Sequence, residues 1–169
     1  MIKDNPKLWA KMVAFQIERG CKKLEVNYHR WFDSGDLQSV EMLHAIALTA
    51  KLTPSIKHWL PTREAKLVKD YRKQYGAEPS NLVIRVSSTM IGDKPIDRHI
   101  NTSTVHKKGE QIHGKECQAY RTNKDAKIIP KEAFKVMTRE EKKAQDFGHC
   151  GDCRDCWDVK VKNVSYPLH

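Results

Sequence analysis

The sequence predicts an α/β fold: a small parallel βαβαβ layer followed by an irregular, cysteine-rich, metal-binding C-terminal lobe. Three observations predict it. Helix-periodic stretches alternate with β-branched runs, joined by short connections, as far as Ser87. The periodicity fades after Met90, and three of the five cysteines crowd into Cys150–Cys156. A chain of 169 residues amounts to about one domain. We therefore read residues 1–90 as the α/β layer and 91–169 as the lobe, packed together.

The first helix is expected from Pro6 to Arg19. Asn5 suits the cap, Pro6 the first helical position and Gly20 the stop. Leu8, Met12 and Phe15, with Trp9, Val13 and Ile17 beside them, form a wide apolar stripe expected to face the core. Cys21–Phe32 reads as a strand, because Leu24, Val26 and Tyr28 alternate with Glu25, Asn27 and His29. The loop Asp33-Ser34-Gly35-Asp36 ends it, and a second helix follows at about Leu37–Lys51. Ile56–Leu60 is the next strand and Pro61-Thr62 a turn. A helix from Arg63 to Tyr75, capped by Thr62 and stopped by Gly76, leads to a third strand at Leu82–Ser87. Short strand–helix–strand connections imply parallel strands with right-handed crossovers. Beyond Met90 the expected elements are a short helix at Lys131–Met137 and a second opened by a Thr138/Glu141 capping box. A final strand is expected through Val159, Val161 and Val164.

Composition narrows the function. Mean hydropathy is −0.69, and no run approaches the roughly 18 apolar residues of a membrane helix. The first residues hold no apolar signal-peptide core. A cytoplasmic protein of the host cell, with no membrane partner, is the expectation. The net charge of +10 is spread evenly along the chain. That favours general attraction to phosphates, and so to nucleic acid, without identifying a reader of sequence.

The strongest chemical signal is Cys150-Gly151-Asp152-Cys153-Arg154-Asp155-Cys156. Three thiols at this spacing converge when the loop wraps one centre, and Cys117 is the expected fourth donor, with His149 the alternative. Zinc sites usually pair two separate knuckles. One compact triplet plus a remote thiol better matches a 4Fe-4S cluster, with zinc the alternative and plain reduced thiols a third reading. The second signal is a set of polar residues near the strand ends: His29, Asp33, Asp36, His58, Arg63, Glu64, Arg85 and Ser87. Carboxyl ends of parallel strands gather functional loops, and charges there need partners. Helix capping by Asp36 and Thr62 is the plainer reading of the same residues. Lys66, Lys69 and Lys73 read as a solvated helix face.

Five blocks in order, HRWFDSGDLQSVEML, HWLPTRE, NLVIRVSSTM, TSTVH and HCGDCRDCWDVKVKNVSYPLH, resemble the phage "gene product 88" family across nearly the whole chain. The resemblance implies a phage or prophage origin. Longer members resemble partial barrels of the radical S-adenosylmethionine kind, with a cysteine-rich segment ahead of the first helix. Here the only cysteine before residue 117 is Cys21, so the resemblance implies a partial-barrel-like layer without the three-cysteine loop of such enzymes. It carries over the Asp33–Asp36 loop, the Pro61–Glu64 loop and the Cys117/Cys150/Cys153/Cys156 set. The expected function is a phage accessory protein with a four-cysteine site, acting through a host or phage protein. The alternatives are an enzyme with a strand-end active site descended from a radical-type barrel, and a zinc-stapled nucleic-acid-binding protein.

Overall fold

The computed structural model describes residues 2, 4–96 and 101–168. Six parallel strands form one curled half-barrel sheet in the order β1-β2-β3-β4-β6-β5. They are β1 (Tyr28–Arg30), β2 (Lys57–Thr62), β3 (Leu82–Ser87), β4 (Thr102–His106), β5 (Lys115–Glu116) and β6 (Asn163–Pro167). The first three strands pair in parallel as expected, with His29 opposite His58 and Leu60 opposite Ile84. The other three come from the region after residue 90, where the sequence carries little periodic pattern.

The helices α1 (Pro6–Lys23), α2 (Val40–Leu52) and α3 (Ala65–Tyr75) cover one face of β1–β3. Leu60, Ile84 and Val86 from the strands meet Ile17, Leu43, Ile46 and Val68 from the helices in the main core. Asn5 caps α1 through a hydrogen bond from the Leu8 N–H, and Ser39 caps α2 through one from Met42. Gly76, at φ +82°, stops α3.

Several boundaries move. Helix α1 runs through Gly20 to Lys23, so Cys21 lies in the helix, and the strand shrinks to three residues. The apolar stripe is also rotated. Ala10, Ala14, Ile17 and Cys21 are buried, whereas Leu8, Met12 and Phe15 are half or more exposed. Helix α1 packs mainly on α2. Alanines spaced four apart let two helices approach closely, and small side chains rather than the largest ones mark the contact. Pro61 and Thr62 belong to β2 instead of a turn. Thr62 does not cap α3; Glu64 is the cap residue and makes no side-chain cap bond. Val159 and Val161 precede the final strand, which begins at Asn163.

The second half is built differently. Strand β6 inserts between β4 and β5, so the connection from β5 to β6 steps backwards across the sheet. A right-handed crossover in that direction must pass over the face opposite the helices. Residues of the 117–162 segment do so: Cys156 and Trp157 pack with Trp59 and Val164 on that face. The segment holds α4 (Lys131–Val136) and α5 (Arg139–Gln145), the latter opened by the expected reciprocal Thr138/Glu141 capping box. The other face of β4 and β6 has a polar interior. Asn163 Oδ1 accepts from Thr102, its amide donates to Thr104, Thr104 donates to Ser165, and Ser165 Oγ meets His106 Nδ1 at 2.7 Å. The 107–114 loop covers this chain, with Asn163 also donating to the His113 carbonyl. Gly114, at φ +73°, lies so close that a Cβ would run into the Asn163 main chain.

Candidate metal centre and strand-end residues

The four cysteines of the expected set border one small cavity, together with Gln118, Ala119, Trp157 and Val164. Cys117 directly follows β5 and is fixed by its N–H donating to the Ser165 carbonyl of β6. The 150–156 loop is held from below by main-chain bonds from Gly148 and His149 to the Thr122 carbonyl. Gly151, at φ +51°, rests against Ala126 and Thr122, where any larger residue would crowd both. Cys156 is buried, Cys117 half-buried, and Cys150 and Cys153 reach solvent. All five cysteines are free thiols. Among the described residues, no group of three or more His, Cys, Asp or Glu side chains is gathered as ligands of a single ion would be.

Burial dominates the acid–base character of Cys117, Cys153 and Cys156. It raises Cys117 and Cys153, and pushes Cys156 up to about 12 despite the hydrogen bond to Tyr166 and the nearby Arg85. As free groups they are therefore protonated at neutral pH. Thiolate character would require a metal, which deprotonates its thiol ligands outright.

Arg85 was expected among the strand-end charges, and the structure places it elsewhere. It is fully buried and points from β3 to the lobe face, under the cysteine loop. Its Nε donates to Cys156 O; its two terminal nitrogens donate to Thr102 O, Val161 O, Asp155 O and Asp158 O, at 2.7–3.4 Å. Those five bonds use all five guanidinium donors. Among the described residues, no carboxylate hydrogen-bonds this buried cation. In sequence Arg85 looked like a strand-end charge in need of a carboxylate partner. The alternation with Ile84 and Val86, which face the helices, was the signal that it points the other way.

The loop is tied to the sheet at two further points. Trp157 Nε1 donates to the His29 carbonyl at 2.8 Å, and Arg154 lies 3.9 Å over the Tyr28 ring. Trp59 packs edge-on against Trp157. Neither the tryptophans nor Tyr28 and Tyr166 entered the sequence reading of the site, because their spacing along the chain gives no hint that they converge.

The remaining strand-end residues divide. Asp36 accepts from the N–H groups of Leu37 and Arg63 and from the Thr62 hydroxyl, joining the loops after β1 and β2. The Arg63 contact is thus made by its main chain. Asp33 is almost wholly exposed, 3.8 Å from Arg30, and Glu64 is also exposed. Ser87 meets Ser103 at 2.8 Å. His29 and His58 point to the helix side, their rings 5.7 Å apart beside Trp31. His58 Nε2 lies 2.8 Å from Thr53 Oγ1, which itself donates to Thr49 O. Burial, followed by the charge of His29, lowers His58 to about 4. The eight residues therefore form no single cleft: Asp36 and the Arg63 main chain fasten two loops, His29 and His58 belong to the helix-side interior, and Arg85 belongs to the lobe.

Comparison with known proteins gives one result. The model of the family "Gene product 88" matches residues 1–159, including all four cysteines of the cavity. No curated protein and no solved structure matches the chain. The match spans most of the sequence, and the chain belongs to the gene product 88 family.

Proposed function

We propose that this chain is a phage or prophage accessory protein whose lobe is organised by a 4Fe-4S cluster on Cys117, Cys150, Cys153 and Cys156, and that it acts by binding a host or phage protein. The observation that carries the reading is the cavity bordered by all four thiols, with a fully buried guanidinium beneath it. A buried cation needs a nearby negative charge, and four metal-bound thiolates would provide one beside Arg85. A single zinc ion draws its sulfurs to about 2.3 Å from one point. A cubane takes four cysteine ligands, and these four border one cavity. When bound, the cluster would covalently join β5 to the 150–156 loop.

The protein-binding role rests on family membership and on the surface position of Cys150 and Cys153. The loops after β1 and β2 lend the enzyme alternative no support, since Asp36 is taken up by the Leu37 and Arg63 N–H groups and the Thr62 hydroxyl, and Arg85 lies on the other face. No helix among the described residues is long and apolar enough to cross a membrane.

Anaerobic purification, followed by an absorption spectrum and analysis for iron, sulfide and zinc, tests the proposal. The expected result is broad visible absorption with iron and acid-labile sulfide in equal amounts. Stoichiometric zinc, or all five thiols freely titratable without metal, would overturn it.

A further inference from the structure

A second concavity, of about 680 Å³, opens at the carboxyl ends of β4 and β6 and owes nothing to the cysteine cavity. Its volume falls within the range of small-molecule sites, and carboxyl ends of parallel strands are where α/β sheets bind ligands. Five lysines line it against two glutamates. They arrive from separate segments: Lys107 and Lys108 from the end of β4, Lys131 and Lys135 from α4, and Lys142 from α5. A solvated helix face has lysines in one periodic row. Lysines converging from three segments on one concavity follow no such row.

The floor is ordered. His106 is buried, its Nδ1 held by Ser165 Oγ at 2.7 Å and its Nε2 3.6 Å from Glu116 Oε1. Lys131 Nζ lies 3.1 Å from the same carboxylate oxygen. The Glu110 carboxylate is engaged by the Lys107 N–H at 2.8 Å. Among the described residues, Lys107, Lys108 and Lys135 have no carboxylate partner. Apolar surface is present too: Ile112 and Leu168 are substantially exposed, and the Phe134 ring lies 4.4 Å under Lys142 Nζ.

We infer that this cleft binds a phosphorylated small molecule of nucleotide size. Its phosphates lie against Lys107, Lys108 and Lys135, and its apolar body against Ile112, Phe134 and Leu168. Clustered ammonium groups bind phosphate as point charges. The bounded shape and apolar surface suit a compact ester rather than a nucleic-acid strand, whose site would be a track along the backbone.

Calorimetric titration of the full chain with ATP, inorganic tripolyphosphate and single-stranded oligodeoxythymidylate tests the inference. The expected result is saturable binding of ATP at one site, weaker binding of tripolyphosphate, and loss of about tenfold or more in ATP affinity in the Lys108→Ala/Lys135→Ala variant. Both residues are exposed and unpaired, so the variant should unfold at the same denaturant concentration as the parent. Independently of any variant, ATP should protect Lys107 and Lys108 from acetylation. Absence of saturable ATP binding or of acetylation protection would overturn the inference. So would unchanged affinity in the variant, tripolyphosphate binding as tight as ATP, or tighter binding of the oligonucleotide.

Discussion

The two faces of the sheet are held by different physics. On the helix side of β1–β3, Leu60, Ile84 and Val86 meet Leu43, Ile46 and Val68 in a continuous apolar core. Burial of such surface is non-directional and scales with area. On the lobe side the apolar cluster is small, centred on Trp59, Cys156, Trp157 and Val164. There the segment after Cys117 is positioned by directed bonds: four of the five from Arg85, the Trp157 bond to β1 and the anchoring of Cys117 on β6. A region built from directed bonds fails locally when one pin is drawn. A region built from area loses stability as a whole.

Removing the largest pin should give the largest effect. Arg85→Leu removes all five bonds, although Asp155 O, Asp158 O and Val161 O keep second donors in Asp158 N, Val161 N and the Asn101 amide; a hydrogen bond to a charged group is worth about 1.5–3 kcal/mol. The expected loss is about 4 kcal/mol or more, confined to the lobe, with rapid proteolysis in the 155–162 stretch while β1–β3 persist. If the variant instead unfolds in one transition with the sheet, the two faces are not separable.

Ile84→Ala makes the opposite cut. It is buried at the same strand, one residue away, but faces the helices. A cavity of this kind costs about 3–4 kcal/mol. It should appear in urea unfolding as a lower midpoint for the whole protein, without selective cleavage of the lobe.

The same contrast shows why one half was readable in sequence and the other was not. Strands β2 and β3 announced themselves as short apolar runs, β3 with β-branched residues, and helix α3 by the turn before it and Gly76 after it. Strand β4 did not. Thr102, Thr104 and His106 are buried through hydrogen bonds with Asn163 and Ser165, and polar residues carry no hydropathy signal. Leu8, Met12 and Phe15 misled for the converse reason: they are apolar and periodic, yet Ala10 and Ala14 make the contact. The Cys150/Cys153/Cys156 triplet stood out by its spacing, and the structure puts Cys117 beside it at one cavity. Arg85 was not, since only the fold brings its side chain under residues some seventy positions later.

Acid should weaken the helix side selectively. His58 is held near 4 by burial, below the 6.5 of an ordinary histidine. The unfolded chain therefore binds the extra proton first. This contribution is complete above the ordinary value and is lost as pH falls from there toward 4. The full difference corresponds to about 3 kcal/mol. Urea midpoints measured across that window should fall, and His58→Gln should flatten the fall. An unchanged slope in the variant would remove His58 from the account.

The smallest effect belongs to the exposed helix α5. Thr138→Ala removes the side chain that accepts from Glu141 N and should cost about 1 kcal/mol. It should be seen as faster amide exchange at the start of α5 with the rest of the protein unaltered.

The central claim is that the lobe depends on a centre held by Cys117, Cys150, Cys153 and Cys156, while β1–β3 do not. Amide hydrogen exchange, comparing anaerobically purified protein with the same protein after chelation, tests it directly. The account predicts that protection is lost across residues 117–162 and retained in β2 and β3. Equal protection of the lobe in both samples would contradict it.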